Sequence, residues 1–349
     1  MSLDIHNKYY QEDINRVLSI DLPWANLYQK TILITGATGL IGSFLIDVLM
    51  CLNFEKKAHV RVLALGRNKN RARERFNLYF DQPDFIFVEQ DIRTPLDDNL
   101  RSDYIIHGAG NSHPVAFSTD PVGTITTNVI GTINILNYAI TQSKCRIIFL
   151  SSVEIYGENR GDVNDFLEDY CGYINCNTLR ACYPEAKRIC ESLCQSHKSL
   201  YGTDVIIARL CRSYGPTMIE SDSKATAQFI KKALASEDIV LKSKGDQLYS
   251  FIYTVDVVSA LMTILFRGNS GEAYNVASPE SNINLRDFAE VTAGLVGKKV
   301  VFELPSETEM RGFSVVNKAT LNSSKLMSLG WKAIYNVETG IKQTLLILK

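Results

Sequence analysis

The chain has 349 residues, 46% hydrophobic and 21% charged, with a formal net charge of −1. This composition is that of a soluble globular chain, long enough for one large domain or two modest ones. Near-neutral charge excludes a general electrostatic pull toward nucleic acid or an anionic membrane surface.

Residues 1–29 read as a short helical extension, with Ile14, Val17 and Leu18 spaced for one face. From Thr31 onward, strand and helix patterns alternate. Thr31–Thr35 is an apolar strand, Gly39–Leu49 a helix, Val60–Leu65 a second strand, Phe85–Glu89 a third and Tyr104–His107 a fourth. Val122–Tyr138 reads as a long helix and Arg146–Ser151 as another buried strand. The run Thr31–Met50 is apolar, but its three glycines, Asp47 and strand-turn-helix rhythm argue against a membrane span. The alternation predicts an α/β fold, a doubly wound parallel sheet with helices on both faces. Ligands of such sheets bind at the carboxyl ends of the strands, where Gly36, His107 and Ser151 all fall. After Arg209 the character changes: Tyr214-Gly215-Pro216 breaks the pattern and shorter elements follow, with polar loops at Ser221–Ala225 and Lys242–Gln247. The expected organisation is therefore a dinucleotide-binding domain over 30–210. A smaller lobe over 211–349 mainly holds substrate and returns some segments to the first domain.

Eight cysteines form no Cys-x-x-Cys pair and the five histidines do not cluster near them, so no metal site is expected. Free thiols fit a reducing cytoplasm. The start, Met1-Ser2-Leu3-Asp4-Ile5-His6, lacks the basic end and apolar stretch of a secretory signal.

The chemistry begins at Thr35-Gly36-Ala37-Thr38-Gly39-Leu40-Ile41-Gly42. Gly36 permits a tight turn, Gly39 lets the backbone approach a pyrophosphate, and Gly42 lets the helix pack closely on the sheet. The helix amino terminus then offers free N–H groups to the phosphates. With a strand before it and a helix after it, this turn predicts a Rossmann-type dinucleotide site. The second strand ends in Leu63-Ala64-Leu65-Gly66-Arg67-Asn68, without the carboxylate that holds a ribose 2′-hydroxyl in NAD-selective sites. Arg67 reads either as a partner for the 2′-phosphate of NADP or as a solvated loop arginine beside Arg71 and Arg73, and the missing acid leans the expectation to NADP. Asp91-Ile92 follows the third strand, where Asp91 is an adenine contact or a turn cap. His107-Gly108-Ala109-Gly110 ends the fourth strand with small residues that let a cofactor lie flat, and His107 reads as structural rather than catalytic.

Ser152, Tyr183 and Lys187 form the reactive group. A free tyrosine has a pKa of about 10, so a phenolate base needs help. Lys187, one helical turn on, shares a face with Tyr183, and its ammonium is expected to lower the phenol. Ser152 can hydrogen-bond the same substrate oxygen. Glu154, two residues past Ser152, is expected on the same side of an extended segment, either as a base next to a ketone or as a solvated glutamate.

These residues resemble the extended short-chain dehydrogenase/reductase family, the NAD-dependent sugar-nucleotide epimerases and dehydratases, from about Thr31 to Trp331. Beyond the glycine motif, the matching signatures are Asp120-Pro121 with Asn128-Val129-Ile130-Gly131-Thr132, and Ser151-Ser152-Val153-Glu154-Ile155-Tyr156-Gly157. Arg209, Tyr214-Gly215-Pro216, Tyr253-Thr254-Val255-Asp256, Tyr274-Asn275-Val276 and Ser324-Lys325 with Leu329-Gly330-Trp331 match the later ones. Arg180-Ala181-Cys182-Tyr183-Pro184-Glu185-Ala186-Lys187-Arg188 most resembles the UDP-glucuronate decarboxylases. Dehydratases place an aspartate just before the active-site glutamate; Val153 stands there and argues against dehydration.

The resemblance implies a tightly held, recycled NAD(P), a nucleotide-sugar substrate and a transient 4-keto sugar in a decarboxylase or epimerase reaction. It implies cofactor contacts from Gly36, Thr38, Gly39, Leu40, Ile41 and Gly42, from Arg67, Asp91 and Ile92, and from Gly108, Ala109, Gly110, Asn128, Ser151, Tyr183 and Lys187. Ser152, Glu154, Tyr183 and Lys187 are the implied catalytic residues, and Ser112, Arg212 and Tyr249 the substrate residues. The last two depart from the family, which usually has an asparagine at Arg212 and a diphosphate-binding arginine at Tyr249. Arg212 can replace that arginine from another direction. Otherwise a net NADPH-dependent reductase on a non-nucleotide substrate becomes the alternative. A catalytically dead cofactor-binding protein is disfavoured by the intact Ser152, Tyr183 and Lys187. Family precedent implies a homodimer through the helices Val122–Tyr138 and Tyr183–Lys198.

Overall fold

The computed structural model of the chain describes residues 3–303, 305–306, 310 and 316–349. After α1 (Lys8–Leu18), the alternating region comprises β1 (Thr31–Thr35), α2 (Leu40–Lys56), β2 (Arg61–Gly66), α3 (Lys69–Arg75), β3 (Phe85–Glu89) and β4 (Tyr104–His107). It continues through α4 (Pro114–Thr119), α5 (Pro121–Thr141), β5 (Arg146–Ser152), α6 (Cys182–Tyr201) and β6 (Asp204–Leu210). The later chain forms β7 (Arg212–Tyr214), α7 (Ala225–Leu234), β8 (Ile239–Leu241), β9 (Leu248–Tyr253), α8 (Thr254–Arg267) and β10 (Ala273–Val276). It ends with β11 (Asn282–Asn284), α9 (Leu285–Gly294), β12 (Val300–Phe302), β13 (Lys318–Ala319), α10 (Ser324–Met327) and α11 (Val337–Leu348).

Seven strands form one sheet in the order β10-β6-β5-β4-β1-β2-β3. Every pairing in it is parallel. Alternation along β1 explains why both faces are covered. Ile32 and Ile34 join a core that includes Phe44 of α2 and Val258 of α8. Leu33 joins the opposite core with Ile135 of α5 and Cys190 of α6. A strand buried on both faces has no polar position to spare, hence the unbroken apolar run. The strand order reverses at β1, whose neighbours are β2 and β4, and that switch point opens the crevice in which such sheets bind ligands.

Several element ends differ from the sequence expectations. The helix after the glycine turn runs on to Lys56 and stops where Lys57 takes a left-handed conformation, φ 53°. The long helix starts at Pro121, capped by Asp120, whose side chain accepts from Gly123 N at 2.9 Å. The second strand starts one residue later, at Arg61, and the fifth extends to Ser152. The amino-terminal helix is part of the core: Tyr10, Ile14 and Val17 are fully buried, and buried Asp13 accepts from Tyr253 Oη at 2.5 Å and Tyr335 Oη at 2.6 Å.

The chain after β6 builds a four-stranded sheet around β9, pairing with β7, β11 and β13, and a two-stranded sheet of β8 and β12. Between these, α8 packs on α1 and α2, and β10 extends the main sheet beyond β6. Among the described residues no helix is long and apolar enough to cross a membrane.

Candidate active site

The glycine turn is shaped by exclusion. Gly36 has φ 72°, and a Cβ added there would lie 2.9 Å from Gly108 O. A Cβ on Gly42 would lie 2.6 Å from Gly36 O. Neither position accepts a side chain without moving backbone. The amino terminus of α2 has no side-chain cap, so its first N–H groups remain for an anion. Beside the turn, Thr35 Oγ1 accepts from Gly108 N and Ala109 N, both at 3.1 Å. His107 Nδ1 bonds Thr35 Oγ1 at 2.8 Å and its Nε2 bonds Thr132 Oγ1 at 3.2 Å. Burial, with a contribution from the Lys187 charge, pushes His107 down to about 3. It is a neutral structural group that fastens the end of β4.

Gly110 and Asn128 complete the cradle. A Cβ on Gly110 would meet Asn128 Oδ1 at 2.5 Å. Asn128 Nδ2 donates to Thr124 O at 2.8 Å, while its Oδ1 is buried without a partner among the described residues. An orphaned acceptor, close-packed glycines and an uncapped helix terminus fit a dinucleotide. At the end of β2, Thr38, Arg67, Asn68 and Arg71 line a cleft of about 480 Å³.

Other expected cofactor residues lie elsewhere or are already engaged. Asp91 caps its own turn: it accepts from Arg93 N at 2.9 Å and pairs with the Arg93 guanidinium at 2.7 Å. Those bonds pull its carboxyl down to about 2. Ile92 is buried against Gly131 of α5. The Ser151 hydroxyl donates to Glu191, which Arg209 grips at 2.7 Å, so that side chain belongs to an ion-pair network. A second cleft of about 490 Å³ opens beside Glu191 and Arg209 at the β6–β10 edge, away from the glycine turn.

The reactive group does assemble. Ser152 ends β5, and its Oγ accepts from Glu154 N at 3.2 Å. That bond caps a single 3-10 turn, Val153–Tyr156, so the extended segment expected beyond Ser152 is replaced by a turn. Tyr183, in the first turn of α6, stacks on Phe117 with ring centroids 4.8 Å apart. Burial, then the Glu154 charge, raises its phenol; a hydrogen bond with Ser152 and the Arg180 charge pull it down. Lys187 was expected to do that lowering. Its Nζ instead donates to Leu150 O at 2.8 Å and lies 5.9 Å from the Tyr183 ring centroid. Burial lowers Lys187, because a desolvated ammonium is penalised.

Two residues that sequence reasoning passed over stand in this group. Arg180 donates from Nη2 to Glu154 Oε1 at 2.6 Å, and Phe117 of α4 lies beneath both Arg180 and Tyr183. Arg180 precedes Tyr183 by three residues, a spacing that could have drawn attention; nothing in the sequence points to Phe117. On the lobe side, the Arg212 guanidinium lies 3.2 Å from the Tyr249 ring centroid. Tyr249 is buried and donates to Val316 O at 2.9 Å. Ser112 stands exposed in the loop before α4. Among the described residues no group of three His, Cys, Asp or Glu is placed to hold a metal ion.

A parallel sheet with a glycine cradle at its switch point, next to a Ser–Tyr–Lys group, is the architecture of a dinucleotide-dependent enzyme. The chain belongs to the NAD dependent epimerase/dehydratase family, whose sequence model matches residues 32–277. It is 30% identical over 317 residues to UDP-glucuronic acid decarboxylase 1 of Xenopus tropicalis, covering 91% of this chain and 72% of that one. It is 31% identical over 314 residues to UDP-glucuronic acid decarboxylase 6 of Arabidopsis thaliana, covering 89% and 86%. A Bacillus cereus UDP-glucuronic acid 4-epimerase, solved with UDP-glucuronic acid and NAD, has the same fold, with TM-score 0.77, 20% identity and coverage of 91% and 98%. So does an NAD complex of dTDP-glucose 4,6-dehydratase from Bacillus anthracis, with TM-score 0.73, 20% identity and coverage of 91% and 96%.

Proposed function

We propose that this enzyme modifies a nucleotide sugar through a transient 4-keto intermediate, as a decarboxylase or epimerase, with decarboxylation of a nucleotide-linked uronate the first expectation. The observation that carries this reading is Glu154. A plain alcohol dehydrogenation needs only Ser152, Tyr183 and Lys187. A carboxylate held beside them, close enough for its charge to act on Tyr183, is suited to chemistry at the neighbouring carbon. The named relatives are UDP-glucuronic acid decarboxylases, and Val153 offers no acid for expelling a hydroxyl.

A bound nicotinamide cofactor, held by the glycine turn after β1 and the small residues Gly108–Gly110, would supply hydride chemistry and a positive charge near Tyr183. Tyr183 Oη takes the proton of the sugar hydroxyl, and Ser152 Oγ hydrogen-bonds the same oxygen. In the decarboxylase reaction the 4-ketone takes up the electron pair of the breaking C5–carboxylate bond as an enolate while carbon dioxide leaves, and Glu154 relays a proton to C5 to restore the ketone. Lys187, anchored on Leu150 O, orients the cofactor side of the site. Arg212, laid on Tyr249, takes the diphosphate in place of the family's arginine. Its Nη1 is buried and unpartnered among the described residues.

The cofactor reading leans to NADP, because Arg67 and Arg71 border the cleft at the end of β2 and guanidinium suits a phosphate. We also propose a homodimer. Val122, Ile125 and Ile140 of α5 and Ile189 and Leu200 of α6 are exposed apolar residues on the two helices the family pairs.

The decisive experiment is mass spectrometry and NMR of UDP-glucuronate incubated with the enzyme and NAD or NADP separately. Loss of carbon dioxide establishes the decarboxylase, and inversion at C4 without mass change the epimerase. An unchanged substrate with both cofactors, across UDP- and dTDP-sugars, overturns the nucleotide-sugar reading.

A further inference from the structure

Arg180 has more hydrogen-bonding capacity than the protein uses. It lies on the one-turn helix Leu179–Ala181, just before α6. Nη2 is committed to Glu154. The guanidinium rests 4.7 Å from the centroid of Phe117, the ring that stacks on Tyr183. Nε and Nη1 are buried and have no partner among the described residues. The whole side chain is only 13% exposed. A buried, charged donor left unpaired is costly, because it has given up water and gained no partner. Native structures keep few such groups, and those few call for an explanation.

We infer that Arg180 is a specificity-determining residue that receives an oxyanion, a carboxylate above all, on the sugar carbon next to the one addressed by Tyr183 and Ser152. The inference rests on the nucleotide-sugar reading and adds what selects the sugar. Charge-assisted hydrogen bonds are roughly twice as strong as neutral ones, so a guanidinium distinguishes a uronate from the matching hydroxymethyl sugar. The ion pair with Glu154 serves the same end. Glu154 alone would repel a substrate carboxylate; with Arg180 between them, two acids share one cation. Phe117 fixes the guanidinium plane, so the donors keep their direction when Glu154 gives or takes a proton.

The test is calorimetric titration of holoenzyme with UDP, UDP-glucose and UDP-glucuronate, on wild type at position 180, Arg180→Met and Arg180→Lys, all three in a Tyr183→Phe background that binds the substrate without turning it over. Wild type should bind UDP-glucuronate more tightly than UDP-glucose. Arg180→Met should weaken UDP-glucuronate by roughly ten- to a hundredfold and leave UDP and UDP-glucose within about twofold. Arg180→Lys should recover part of the loss, and if Arg180→Met does not fold, the ratio of the two sugars on Arg180→Lys carries the test. Equal losses for all three ligands, or none for UDP-glucuronate, overturn the assignment. If UDP fails to bind wild type, the nucleotide-sugar reading itself falls, a result distinct from an indifferent Arg180→Met.

Discussion

The proposed cofactor side of the site, around the glycine turn, and the proposed substrate side, around Arg180 and Arg212, are built on opposite principles. Around Gly36, Gly42, Gly108 and Gly110 the backbone is so close-packed that added Cβ atoms would lie 2.5–2.9 Å from their neighbours. The hydroxyls and imidazole there, Thr35, His107 and Thr132, satisfy one another. On the substrate side, Arg180 and Arg212 each lie over an aromatic ring with a buried donor unused among the described residues. A cradle for a constant ligand is fixed by sterics. A site for a variable ligand is left with charge to place.

The largest effect that can break this contrast is at Tyr183. Tyr183→Phe should lower kcat by about 10²–10⁴-fold, the range of general acid–base catalysis, with cofactor still bound. Retained turnover would remove the proton-transfer group from the mechanism. Next is Arg212→Met, expected to raise KM for the nucleotide sugar by roughly ten- to a hundredfold while kcat changes little, as lost charge-assisted bonds to phosphate imply. A fall in kcat alone would mean that Arg212 does not hold the diphosphate.

Gly36→Ala probes the steric side. The φ of 72° and the 2.9 Å approach to Gly108 O predict destabilisation of about 1–3 kcal/mol and loss of retained cofactor on gel filtration. An unaltered melting temperature would show that the turn has room. The smallest effect lies behind both sides, where α1 meets the lobe. Burial raises Asp13 to about 6 and Asp256 to about 7, and the Asp13 charge adds to the latter. Both exceed the unfolded value of about 3.9, so the folded state binds more protons between roughly pH 4 and 7. Stability therefore falls as pH rises through that window. Thermal melts from pH 5 to 8 should show the slope in wild type and a flatter one in Asp256→Asn; equal slopes would exclude Asp256 as its source.

How much of this was legible follows from the range of each interaction. The glycine turn, the strand ends at Thr35, Glu89 and His107, and the Tyr183–Lys187 spacing are local, and local spacing is written directly into sequence. Even there the reading reached only so far. Ser151 and Ser152 are neighbours on one strand, and strand geometry sends successive side chains to opposite faces. Which of the two meets Tyr183 and which meets Glu191 depends on what packs against each face. Lys187 lies one helical turn from Tyr183, as the spacing predicts, yet the Leu150 carbonyl, which only the folded strand brings to it, takes its ammonium.

The sequence by itself determined the alternation that makes a parallel sheet, the glycine turn between strand and helix, and the residue types of the proposed proton-transfer group. Each of these follows from contacts within a few residues. Only the tertiary structure decided that Arg180 meets Glu154, that Phe117 lies beneath Arg180 and Tyr183, that Arg212 covers Tyr249, and that α1 is core rather than appendage. Those contacts join segments far apart along the chain, and their geometry is set by how helices and strands pack.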